Sequence, residues 1–467
     1  MKLNKEKINL GLGKTEEVRK YYSERDPREN KETEIPKNEK IKLRCLWVFE
    51  VYTPNYINNL IEGIDKINWD FSARQEKLSK IVIKSRENDS YGWRNLGYIR
   101  YKENKKRQEI EPILPDGVDI AICNLFQYLS STTILSTQFI LKDEVSNFFE
   151  NKINAQYETY TEKIGNGSKF ITPFYQKKEE VNKAREELYT NCYKWYKKNI
   201  PGLYSDDLTE VNFPTCEFIT LDVGEPFKKR EKFENDYIDV LNLGNEFDAW
   251  ECDALKGIFL ELPDIMDSDF TRIKIAGNSS EILTNKDLES YGGLENHGIE
   301  NYLQHFDISL VIWSLFVLMK TYRCNLSRIR DSIALVSLDD INKATNEIKN
   351  IRKNFALIQR NIPYFLNEFK LLNRMPLKSD VFKFKPVEIF PFNKDIELFD
   401  NILKTSIIDT NNMNDEYKNM SQAIDTTSNI ILSITNEKLF RRNIFLQWIM
   451  IVLTFFVIVL TIIIIFK

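Results

Sequence analysis

Histidine is nearly missing from this sequence: His297 and His305 are the only two in 467 residues. Six cysteines (Cys45, Cys123, Cys192, Cys216, Cys252 and Cys324) are scattered, with no Cys-x-x-Cys and no close Cys/His cluster. A zinc site needs paired ligands at short spacing, and a disulfide framework suits a smaller secreted chain. The usage instead reads as reduced thiols in a cytosolic compartment. Met1–Lys40 is crowded with Lys, Glu, Arg and Asn and holds no apolar stretch, which excludes a signal peptide there. No Gly-x-Ser-x-Gly elbow occurs. Gly13-Lys14-Thr15 resembles the end of a phosphate-binding loop, but Ile8 stands where the motif needs a glycine, and no strand precedes it. With a net charge of −4 and a pI near 5.7, no basic face is implied, so nucleic acid is not expected as a partner. Nothing here demands an enzyme.

What is present is a globular composition, 42% hydrophobic and 29% charged, and one long apolar run. Ile444–Phe466 holds 23 residues without a charge. At ~1.5 Å per residue it reaches ~34 Å, enough for a hydrocarbon core of ~30 Å. It is apolar all round, where a buried core helix of that length would show a polar stripe. Lys438, Arg441 and Arg442 precede it. By the positive-inside rule they orient a single-pass protein of the cell membrane, with its large N-terminal portion in the cytoplasm. Trp448 lies near that boundary. A second apolar run, Ile308–Met319, has only 12 residues and suits a buried helix.

Between Lys40 and about Asn296 the pattern is mixed. Strands are expected at Leu46–Tyr52, Lys80–Lys84, Glu217–Val223, Ile258–Leu262 and Thr271–Ala276, and helices at Asn55–Ile67, Lys142–Tyr160 and Gln176–Asn199. Asp119–Leu141 is apolar but contains Ser130, Ser131, Thr132 and Thr133, which break it into two strands or a strand and a helix. Gly292 and Gly293 mark an end to this region. Beyond it, Ile341, Ala344, Ile348, Ile351 and Phe355 begin a row with steps of three and four, and Met413, Tyr417, Met420, Ile424 and Ile431 belong to a second. Such a 3.5-residue period keeps one seam on a partner helix, the signature of coiled-coil-like packing. Pro363 should bend the first helix, and Pro376, Pro386 and Pro391 place a connection between the two.

The expected organisation is a charged N-terminal segment (1–40), an α/β cytosolic domain with a mixed sheet and helices (41–296), and a helical region of a stalk pair (297–375). A membrane-proximal stalk helix (394–443) and one C-terminal transmembrane helix (444–466) follow.

This order of parts, together with the segment TNEKLFRRNIFLQWIMIVLTFFVIVLT at Thr435–Thr461, resembles the CorA family of divalent-cation transporters. There an Asn/Arg-containing stalk end leads into a pore-lining helix. The resemblance covers most of the chain by architecture and the last 70 or so residues by sequence. Family members also carry a Gly-Met-Asn motif after that helix, then a second membrane helix, and neither occurs in these 467 residues. The resemblance implies a homo-oligomer, a pentamer if the family's arrangement carries over, with Mg²⁺ or another divalent cation as cargo. One helix per subunit would then surround a pore.

Gln447, Thr454 and Thr461 stand seven apart and would line that pore, their oxygens replacing part of a cation's hydration shell. Alternatively, the threonines bond their own helix and Gln447 sits at headgroup level. Asp264, Asp267 and Asp269 form the tightest carboxylate group, either a site for a hard cation or a solvated acidic loop. His297 and His305 lack companions for a metal set. Against the cation conduit stands a second expectation: a non-transporting, membrane-tethered sensor, scaffold or effector, for example in host defence, whose cytosolic domain binds a ligand or partner.

Overall fold

The computed structural model describes residues 20–67, 69, 78–87, 92–100, 114–164, 167–206, 213–227, 236–244, 249–263, 271–295, 297–359, 361–370, 372, 382–387 and 396–465. Gly13-Lys14-Thr15 and the acidic cluster at 264–270 lie outside them.

The strands are β1 (Ile41–Tyr52), β2 (Gly92–Arg100), β3 (Val118–Gln127), β4 (Thr133–Leu141), β5 (Tyr160–Ile164), β6 (Gly167–Ile171), β7 (Thr215–Leu221), β8 (Ala249–Cys252), β9 (Ile258–Glu261), β10 (Arg272–Asn278) and β11 (Phe384–Pro386). The helices used below are α1 (Asp26–Glu32), α2 (Ile57–Lys66), α3 (Leu78–Glu87), α4 (Asp143–Asn154), α5 (Pro173–Asn199), α6 (Asp307–Ala334), α7 (Ile341–Gln359), α8 (Ile362–Phe369) and α9 (Leu398–Ile465).

Nine strands form one mixed sheet in the order β11-β8-β9-β10-β7-β1-β4-β3-β2, while β5 and β6 make a separate hairpin. Among the described strands, β10 and β7 pair in parallel and the other paired strands of the sheet are antiparallel. β1 is central, and all its residues but Lys42 are buried. A strand covered on both faces reads as a mostly apolar run rather than an alternation, which is why Leu46–Tyr52 is legible as a strand, and the structure extends it back to Ile41. The Ser130–Thr133 break separates β3 from β4, and the two pair as neighbours.

Lys80–Lys84 is a correction. It lies within helix α3, where Ser79 and Val82 are buried three apart and Ile83 is exposed. That is helical periodicity, and a run of only five β-branched and lysine residues is too short to tell it from a strand. α5 starts with Pro173, whose missing N–H costs nothing at a helix start. It buries Phe174, Val181, Leu188, Cys192 and Trp195 along one face.

The chain divides into two compact units, the first comprising 1–317 and 371–405, the second 318–370 and 406–467. In the first, two buried ion pairs bind distant strands and helices. Arg44 on β1 meets Glu300 at 3.1 Å and also donates to Thr220 of β7. Arg185 on α5 meets Glu217 of β7 at 3.1 Å and the Leu241 carbonyl at 2.7 Å. Gly292 and Gly293, both at positive φ, make a turn within this unit rather than its end. An aromatic group of Phe306, Phe382, Phe384 and Phe399 brings 382–387 and the start of α9 onto the same unit.

In the second unit, Lys320 and Arg323 reach Asp409 and Arg330 reaches Glu416, so the two helices run parallel. Arg352 pairs with Asp425 while Phe355 stacks on Tyr417, so α7 runs antiparallel to α9. These exposed ion pairs add little stability. The interior consists of Ile341, Ala344, Ile348, Ile351 and Phe355 from α7, with Met413, Met420, Ile424 and Ile431 from α9, all buried. Ser406, Thr410 and Ser428 are buried too; Thr410 and Ser428 donate back to carbonyls of their own helix. Pro363 does more than bend the first helix: α7 ends at Gln359 and α8 restarts with the proline in its first turn.

Ile348→Asp or Ile424→Asp places an unpaired charge between packed helices. Each should lower the urea midpoint of the detergent-purified protein by an amount equivalent to about 3 kcal/mol or more. Asn350→Asp, on the exposed face of α7, should leave it unchanged.

Candidate functional site: the apolar end of helix nine and a buried carboxylate

Helix α9 is unbroken for 68 residues, about 100 Å at helical rise. Its most apolar window has a mean hydropathy of 3.2, and none of that window is buried. From Ile444 onward, eighteen large apolar side chains are exposed. Each is worth about 1.5–3 kcal/mol when removed from water, so exposing them all would cost on the order of tens of kcal/mol. That exceeds the roughly 5–15 kcal/mol by which folded domains are stable. The helix end is long and apolar enough to cross a membrane. Gly298–Ala334 is also long and apolar, but 83% of its most apolar window is buried within the protein. Ile308–Met319 is accordingly a core helix segment.

Lys438, Arg441 and Arg442 are all exposed on the helix just before the apolar end, where Arg441 pairs with Glu437 at 2.6 Å. Because the helix is continuous, residues seven apart drift only about 20° around it. Gln447, Thr454 and Thr461 therefore share an arc of roughly 40°. The Thr454 hydroxyl donates to the Met450 carbonyl at 2.7 Å, and that of Thr461 to the Val457 carbonyl at 2.8 Å. Their protons are used inside the helix, and their oxygens face outward as acceptors.

Among the described residues, no group of three or more His, Cys, Asp or Glu is arranged to hold a metal ion. His297 lies 3.6 Å from Asp119 and takes a left-handed conformation. Five cysteines are buried and Cys324 is exposed, all as free thiols. Burial pushes Cys45 and Cys216 far above the ordinary thiol range, which makes them inert.

The group that sequence reasoning passed over is Asp307. It stands at the start of α6 and is only 2% exposed, at the edge of a cavity of about 40 Å³ that His305, Gln304, Asn124 and Trp93 also line. Asn124 donates to its Oδ2 at 2.7 Å. Ser136 and Trp47, from β4 and β1, lie close enough to favour the ionised form, yet neither makes a close hydrogen bond to Oδ1. Burial outweighs these donors and pushes the carboxyl up to about 7. Glu50 on β1 is buried likewise. It accepts from the backbone N–H groups of Tyr204 and Ser205 and is also raised to about 7. The one legible signal was an acid at the head of an apolar helix, and acids are common at helix starts.

Raised carboxyl pKa values have a definite sign. The folded state holds a proton that the unfolded chain releases near pH 4, so their stabilisation is complete below that pH and is lost as pH rises through about 7. The urea midpoint should therefore fall between pH 4.5 and 7.5. Asp307→Asn should remove about half of that slope, a change on the order of 4 kcal/mol across the window. An unchanged slope in the variant would show that Asp307 does not titrate there.

No protein-family model matches this sequence, and no curated protein matches it either.

Proposed function

We propose that this is a membrane-anchored, homo-oligomeric protein of the cell membrane that resembles CorA and passes a divalent cation such as Mg²⁺ along an axis surrounded by α9 of each copy. The observation that carries the reading is the unbroken helix, which runs from a packed bundle into a wholly exposed apolar end. Lipid is the solvent such an end needs. Lys438, Arg441 and Arg442 orient it as a single pass with the sheet-bearing unit in the cytoplasm. Gln447, Thr454 and Thr461 supply neutral oxygens along one arc, the chemistry that replaces cation hydration. If the CorA arrangement carries over, the assembly is a pentamer.

One observation favours a second reading. The Thr454 and Thr461 hydroxyls are satisfied within their own helix, as in threonines that only pack in lipid. On that reading the protein is a tethered sensor, scaffold or effector, and the apolar end is an anchor.

Flux into reconstituted vesicles separates the two. The conduit reading expects Mg²⁺, Co²⁺ or Ni²⁺ entry that falls severalfold in Thr454→Val or Gln447→Leu. Vesicle-retained protein that passes none of the three ions leaves the tethered reading. Recovery of the intact protein without detergent would overturn both.

A further inference from the structure

The cavity at the head of α6 gathers groups that packing alone does not use. Asn95 of β2 stands opposite Asn124 of β3, which stands opposite Ser136 of β4. Directly opposed residues of paired strands project to one face, so these three polar side chains share the face that carries Asp307. Next to them on that face, Trp93 stands opposite Phe126, and both rings wall the cavity. Gln304 and His305 line it from the single turn before α6. Phe126 is buried, whereas Trp93 is 50% exposed and His305 is exposed, so solvent enters at their end.

The direction of the hydrogen bonds decides what this cavity offers a guest. Asn95 donates to Asn124 Oδ1 at 2.9 Å, and Asn124 donates in turn to Asp307 Oδ2 at 2.7 Å. The amide nitrogen of Gln304 is turned to Asn301 Oδ1 at 3.1 Å. Asn124 and Gln304 thus direct a donor elsewhere and keep acceptor capacity on their oxygens. Asp307 Oδ1 is buried and accepts no hydrogen bond among the described residues. A small movement would bring Trp47 and Ser136 onto it, but neutral donors leave the negative charge in place. The cavity therefore presents a buried carboxyl, surplus acceptors and two aromatic walls. A cation that itself bears N–H donors answers all three, because ring faces attract organic cations and carboxylates accept from ammonium groups.

Size narrows the choice further. A water needs roughly 10–15 Å³ of such space, so about 40 Å³ takes about three non-hydrogen atoms. That admits an ammonium group with one or two carbons and excludes a quaternary ammonium ion. We propose that this cavity binds a short primary alkylammonium ion, its nitrogen on Asp307 Oδ1 and its alkyl end against Trp93 and Phe126. The site is independent of what α9 does in the membrane.

Methylammonium chloride tests it on the full-length protein in detergent, with sodium chloride holding the ionic strength constant. The measurement is made at pH 8, above the value of about 7 to which burial raises the carboxyl. A ligand of two non-hydrogen atoms reaches a dissociation constant on the order of 10 mM at best. In protein labelled with fluorotryptophan, the fluorine resonance missing from Trp93→Phe belongs to Trp93. That resonance should shift saturably with methylammonium, and Asp307→Asn should raise the midpoint at least tenfold. Gln304→Leu, on the protein's half-exposed rim, should raise it severalfold and carries the test if the Asn variant does not fold. Tetramethylammonium should cause no shift. A response that never saturates, a midpoint unmoved by the substitutions, or an equal response to tetramethylammonium would leave only water in the cavity and overturn the proposal. Nα-acetyl-lysinamide presents the same ammonium on a long stem and should bind no tighter than ethylammonium. Tighter binding would assign the cavity to a lysine side chain and overturn the free amine as its occupant.

Discussion

Eighteen large apolar side chains at the end of α9 stand exposed among the described residues, and the helix that bears them has no break at which to fold back. Each backbone N–H in this segment is bonded four residues away, so no loop can return the apolar end to the core without breaking several such bonds. The only remaining outlets are lipid and other chains. The proposed anchoring follows from that constraint.

The sheet-bearing unit meets a different demand. Arg44 with Glu300 and Arg185 with Glu217 are held almost free of solvent, each arginine with a further acceptor in reach. Such pairs contribute little net stability, but removing one partner leaves a buried charge that is costly. They select one arrangement of β1, β7 and α5 over its near alternatives. Asp307 and Glu50 add buried carboxyls, and these are raised to about 7 by burial.

Several elements were legible because local pattern and tertiary outcome agree. β1, β7, β9 and β10 are rich in β-branched, aromatic and other apolar residues, and α5 repeats its apolar positions at helical spacing. Others were not. β2, read as no element at all, contains Gly92, Gly97 and two arginines, and it exists because β3 supplies its hydrogen bonds. β8 and β11 have four and three residues, too few to show a period, and β11 joins the sheet at β8 through pairing that spans more than a hundred positions of the chain. Asp307 went unnoticed at the head of an apolar run, and its environment depends on Trp47, Asn124 and Ser136 arriving from three separate strands.

By itself the sequence determined that a charge-free apolar rod follows a basic patch, that helical seams with steps of three and four precede it, and that strand-forming runs occur at Leu46–Tyr52 and Glu217–Val223. These are local properties, set by residue type and spacing along a few turns or one strand. Only the tertiary structure decided the order of strands in the sheet, the parallel and antiparallel directions within the helical unit, and which acids lie out of reach of water. Those depend on which distant segments meet, and no window of sequence contains both sides of such a contact.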